Sequence, residues 1–143
     1  MNFGVKRSAI WFCVFTLLSF SLSCSFTKGK ETAERAVIKF HNQLNAGQFH
    51  EIYAGADEGF RKASSEQDVI ALFEAVRRKL GAVKSTKPTG WRVNATPMGT
   101  MVNLGYEVEF SEAKGMEEFV FHVSGDQALL FNYNVNSAAL ITR

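Results

Sequence analysis

Residues 90–110 read GWRVNATPMGTMVNLGYEVEF. From Thr100 to Phe110 the even positions are Thr100, Val102, Leu104, Tyr106, Val108 and Phe110, and the odd ones are Met101, Asn103, Gly105, Glu107 and Glu109. That period-two split predicts a strand with one buried face. Just upstream, Trp91, Val93 and Ala95 alternate with Arg92 and Asn94. With Thr96-Pro97-Met98-Gly99 as the loop, Ala95 faces Thr100, Val93 faces Val102 and Trp91 faces Leu104, so the apolar sets share one side, as register demands. Pro97 suits a loop because it has no N–H to give a ladder.

A second hairpin follows. Phe119, Phe121 and Val123 alternate with Glu118, Val120 and His122, and Ser124-Gly125-Asp126-Gln127 turns the chain. A two-residue Gly-Asp turn sets Phe121 opposite Leu130 and Phe119 opposite Asn132. Leu129, Phe131, Tyr133 and Val135 then occupy the other face. A bulge or a longer loop would bring those four beside the phenylalanines. Without one, both faces are apolar and the far face calls for a cover, such as a partner subunit.

At the start, Lys6 and Arg7 precede an apolar run over residues 9–20, and Ser21-Leu22-Ser23-Cys24 follows. This is the pattern of an export signal, and the run is shorter than the roughly 20 residues a bilayer span needs. The reading divides the chain into a cleaved signal (1–23), a polar tether (24–30) and one domain (31–143). Cys24 after the cut resembles the lipobox of bacterial lipoproteins, in which that cysteine is acylated. Ser21 and Leu22 stand where the box usually has leucine and a small residue. The alternative is ordinary cleavage and a soluble periplasmic or secreted protein. Ser25 in place of aspartate favours the outer membrane by that family's sorting rule.

Cysteine and charge counts agree with this layout. Cys13 leaves with the signal, so the exported part holds no internal disulfide. Lys6 and Arg7 are two of the 16 basic residues, and the remainder equals the 14 acidic ones. A neutral exported domain gives no electrostatic basis for binding nucleic acid. About 120 residues remain, enough for one domain core.

The first half of that domain reads as helices. Ala33, Val37, Phe40 and Leu44 form an apolar stripe over residues 31–45, and Ala46-Gly47 stops it. Phe49, Ile52, Tyr53 and Ala56 have helical spacing in a short second helix. A third helix starts at a capping box, Ser64 with Gln67, with Ser65 as rival cap. It buries Val69, Leu72, Phe73, Val76 and Leu80 and closes at Gly81. Arg77, Arg78 and Lys79 suit the negative end of its dipole and read as a solvated helix end rather than a phosphate patch. Residues 82–89 enter the sheet as an irregular edge.

Helices followed by antiparallel strands predict an α+β fold, N-terminal helices packed on a strongly curved sheet. The run from the third helix through residues 90–110 to the closing FNYNVNSAAL (131–140) resembles the nuclear transport factor two-like superfamily, and in particular its small exported bacterial members of unknown function. The resemblance implies a cone-shaped sheet around an apolar cavity. Ala128 departs from the bulky aromatic that such domains often have there.

The superfamily includes isomerases and dehydratases as well as non-enzymes, so fold does not decide function. Its isomerases need a carboxylate base and a proton donor converging in the cavity. Trp91, Tyr106, Phe121, Tyr133 and His41 are the candidates to line it, although aromatic residues on a buried strand face usually form core. Glu107 and Glu109 lie on the polar face and Asp57 among turns, so no catalytic set assembles. The three histidines have no ligand spacing, no metal or cofactor motif is present, and His41 flanks the helical stripe as a core-edge residue. The residues favour a non-catalytic envelope lipoprotein, held to the membrane by its N-terminal lipid, that binds a protein partner or a second copy. The alternative is a small-molecule binder or isomerase-like enzyme using the cavity.

Overall fold

Four antiparallel strands follow one another as a meander in the order β1-β2-β3-β4: β1 (Val83–Thr96), β2 (Gly99–Phe110), β3 (Lys114–Ser124) and β4 (Gln127–Asn136). Ahead of them run α1 (Ser8–Ala46), α2 (Phe49–Ala54), α3 (Glu58–Ala63) and α4 (Glu66–Leu80), and α5 (Ala138–Thr142) closes the chain. The fold is therefore α+β, as the order of patterns predicts. The computed structural model describes the backbone of residues 8–142 and the side chains of residues 27–142; Lys6, Arg7 and the Cys24 side chain lie outside the described residues. Among the described residues no helix is long and apolar enough to cross a membrane.

The first hairpin has the predicted register, with Ala95 opposite Thr100, Val93 opposite Val102 and Trp91 opposite Leu104. Val102, Leu104, Tyr106, Val108 and Phe110 are all buried. β1 is an edge strand with irregularities between Val83 and Ser85 and between Pro88 and Gly90, which blunt an edge that would otherwise recruit other strands. β1 is exposed along almost its whole length, and Trp91 on it is 59% exposed.

The second hairpin takes the bulged alternative. Phe121 pairs with Leu130 and Phe119 with Tyr133, leaving Phe131 as the extra residue. Leu130 and Tyr133 consequently join the phenylalanines in the core, with Val135 half-buried beside them, while Leu129 stays partly exposed. The bulge frees the Leu130 carbonyl to accept from the Asp57 N–H at 2.9 Å.

Three helical expectations are corrected. Residues 25–30, read as a tether, are helical, because α1 starts at Ser8 rather than near residue 31. Gly29 is buried against the sheet, with Val102 its nearest side-chain neighbour. Lys28 pairs with Asp126 at 2.9 Å and Lys30 with Glu34 at 2.6 Å one turn on. Second, α3 occupies a stretch read as turns. Asp57 caps it, its side chain accepting from the Gly59 N–H at 2.7 Å. Third, Ser65 rather than Ser64 caps α4, its hydroxyl accepting from the Asp68 N–H, and Leu72 is 40% exposed instead of belonging to the buried stripe of Val69, Phe73, Val76 and Leu80. Gly81 closes α4 at φ 85°.

Candidate functional site

Strand parity decides the site. Phe119, Phe121 and Val123 point inward, and two residues before Phe119 the same alternation sends Glu117 inward as well. Glu117 pairs with Tyr106 on β2 and Val135 on β4, and its side chain is fully buried. A carboxylate so placed must be paired or neutral. One oxygen, Oε2, lies 2.6 Å from His41 Nε2 on α1, and Oε1 accepts from the Tyr133 hydroxyl at 2.7 Å. Both carboxyl oxygens are thus engaged by side chains from other elements, one on α1 and one on β4.

Aromatic rings seal this trio. The Tyr133 ring lies 4.8 Å from Phe40, 5.2 Å from Phe119 and 5.8 Å from Phe73, and the His41 ring meets Phe119 edge-on at 5.7 Å. Burial, reinforced by the adjacent Glu117 carboxylate, holds the Tyr133 hydroxyl well above the usual tyrosine range. Tyr106 is pushed up to about 12, by burial first and then by the Glu34 carboxylate.

Of the residues expected to line a cavity, His41 and Tyr133 meet through Glu117, and Phe121 stacks on Phe119 at 5.9 Å. Tyr106 reaches the same Phe119 at 6.1 Å. Trp91 stands apart on the edge strand, with the Lys30 ammonium 5.8 Å from its ring centre. A hollow of about 50 Å³ opens between α1, α2 and the second hairpin, beside Ala36, Phe40, Ile52, Phe121 and Ala128. It has room for little more than a water molecule or two, and Glu117 does not line it. A carboxylate thus faces inward, yet it is spent on its own neighbours.

Glu117 is the residue that the strand reading passed over. Its signal was present, since it shares parity with Phe119, Phe121 and Val123. Its partners lie on other elements and have no local signature.

Each histidine meets one carboxylate on a different element: His41 with Glu117, His50 with Glu66, and His122 with Asp57 at 3.0 Å. Among the described residues no group of three such side chains could hold a metal ion. At Asp57 burial alone would raise the carboxyl, but the Gly59 N–H and the His122 ring outweigh it and hold the group below its usual value.

The outward sheet face carries two shallow hollows. One of about 620 Å³ is bordered by Lys87, Glu107, Glu109, Lys114 and Met116, and the other of about 520 Å³ by Arg92, Asn94, Asn103, Glu118 and Asn132. Basic and acidic groups both occur on this face.

The class defined here is an α+β domain with helices packed on a four-stranded meander, a closed polar trio inside and a polar outer face. Residues 36–130 match the family model described as "Protein of unknown function (DUF4019)", and the chain belongs to that family. His41, Asp57, Glu117 and His122 fall within the matched span and Tyr133 beyond it. No curated protein matches the chain.

Proposed function

We propose that this chain is a lipid-anchored protein of the bacterial cell envelope whose domain is a non-catalytic interaction module of the nuclear transport factor two-like kind. The α+β order and the antiparallel sheet are compatible with that superfamily. The observation that carries the non-catalytic reading is the closure of the inner face. The inward carboxylate Glu117 is fully buried and already engaged by His41 and Tyr133, so recognition falls to the surface. The leader pattern ending at Cys24 supports the anchor, because two or more acyl chains carried by that residue would hold the domain stably at a membrane.

The partner is first of all a second copy of this chain, seated on the outward sheet face. That face mixes Lys87, Arg92 and Lys114 with Glu107, Glu109 and Glu118, so a two-fold arrangement can set its basic groups against the partner's acidic ones. Mass spectrometry of the mature protein tests the anchor: an acylated N-terminal Cys24 is expected in the wild type, with loss of the acyl mass and of membrane association in Cys24→Ala. An unmodified N-terminus elsewhere would refute it. Light scattering of the domain from residue 27 tests the pairing, and a monomer at all concentrations would count against a second copy.

One observation favours a second reading, a small-molecule binder or isomerase-like enzyme. Glu117 and Tyr133 are the residue types that such chemistry places in the cavity. That reading requires the Phe40, Phe119 and Tyr133 rings to part. Ligand-dependent quenching or shift of the Tyr133 signal in the folded domain would support it.

A further inference from the structure

The distance between the anchor and the fold fixes how the domain sits on its membrane. Lys28 already touches the folded domain through Asp126 at 2.9 Å, and Gly29 is buried against the sheet. Only four residues lead from Cys24 to Lys28. As helix, which is the conformation of α1 here, they advance about 6 Å; even fully extended they reach about 14 Å. The headgroup layer of one leaflet is itself about 5–8 Å deep. Nothing in that length lets the domain stand clear of the surface.

The orientation follows from α1. Its Gly29 lies beside Val102, while its Asn45 side chain exchanges hydrogen bonds with the Val83 backbone at 2.9 and 3.1 Å, at the other end of the sheet. The N-terminal end of α1 therefore points toward the turns of both hairpins. Those turns are neighbours, since Thr96 pairs with Gly99, Thr100 with Val123 and Ser124 with Gln127. Gly99, where the turn meets β2, lies three residues from Val102, about 10 Å along the strand; Cys24 lies five residues from Gly29, about 8 Å along a helix. The turn reaches at least as far as the anchor. Its sequence, Thr96-Pro97-Met98-Gly99, carries no charge, and Met98 is 70% exposed. The neighbouring turn's charge, on Asp126, is met by Lys28.

Resting on the lipid anchor at Cys24, we propose that both hairpin turns lie on the bilayer, with Met98 in the headgroup region of the leaflet that holds the acyl chains. The sheet then stands on end, its outward face open sideways to partners in the plane of the membrane. Ile141, 85% exposed on α5 beyond the far end of β4, marks the pole turned away.

The test uses the full-length acylated protein in phosphatidylethanolamine–phosphatidylglycerol vesicles containing a lipid with a nitroxide headgroup. Acylation blocks Cys24 and cleavage removes Cys13, so Met98→Cys and Ile141→Cys each offer one thiol for an environment-sensitive fluorophore. Quenching at position 98 is expected to exceed that at position 141 several-fold. Equal quenching, or none at position 98 in protein shown by mass to be acylated, overturns this arrangement and leaves the anchor standing. Protein that carries no acyl chain removes the anchor and this arrangement with it.

Discussion

The Glu117 carboxylate stands 2.6 Å from the His41 ring nitrogen, joining residues 76 apart in the chain across the contact between β3 and α1. Because neither side chain reaches water freely, each depends on the other. Removing one member of a buried pair leaves an uncompensated polar group and costs about 3–5 kcal/mol. Glu117→Ala should lose about that much in urea unfolding of the domain, with Tyr133→Phe losing nearer 1–2 kcal/mol because only one hydrogen bond goes. A double-mutant cycle between positions 41 and 117 should give strong coupling. Additive losses would mean that the trio is not a unit.

The two inward tyrosines predict the alkaline limb of stability. Their folded pKa values lie above the unfolded value near 10, Tyr106 at about 12 and Tyr133 well above the usual range. The folded state therefore holds protons that the unfolded chain gives up, and stability present below pH 10 is lost as pH climbs toward the folded values. Each tyrosine adds up to about 1.4 kcal/mol per pH unit to that slope. Chemical unfolding at pH 9, 10 and 11 should show a flatter decline in Tyr133→Phe than in the wild type. Parallel curves would contradict the assignment.

How much of this was legible depended on the range of the deciding contact. The first hairpin could be read outright because alternation and a proline-containing loop agree on one register within 20 residues. The second offered two registers, and the choice rests on contacts from elsewhere: Phe131 packs beside Gly59, where a Cβ would come within 2.6 Å of its ring, and the Leu130 carbonyl takes the Asp57 N–H. Residues 25–30 look like a tether because they are polar, and only the sheet beneath Gly29 and Asp126 beside Lys28 make them part of the domain. Helix α3 is too short for a periodic pattern. Glu117 was visible by parity, but its meaning lies in His41, which no local rule connects to it.

Gly99 makes its own prediction. It has φ 124°, and a Cβ there would stand 2.2 Å from His122 Nε2. Backbone strain and a clash with the ring held by Asp57 act together, so Gly99→Ala should cost about 1–3 kcal/mol. Gly125, at φ 59° with open space around it, sits where asparagine is tolerated, and Gly125→Asn should cost much less. The midpoints of urea unfolding, compared at constant m-value, check both. Equal losses at the two glycines would show that the His122 contact is not what constrains the first turn.

Arg92 and Glu118 test the pairing of two copies. Both are exposed beside the same outward hollow, and among the described residues neither side chain has an ion-pair or hydrogen-bond partner of its own. In a two-fold arrangement each contact occurs twice, so one substitution is felt twice. Arg92→Glu would set like charges opposite each other and should weaken self-association about tenfold, equivalent to about 1.4 kcal/mol. Adding Glu118→Arg restores opposite charges and should recover most of that loss. Raising the salt concentration should shrink the difference, because these charges are exposed to screening. Sedimentation equilibrium of the wild type, the single and the double variant gives the comparison directly. Three indistinguishable association constants would remove Arg92 and Glu118 from the interface, and with them the charge argument for a second copy on this face.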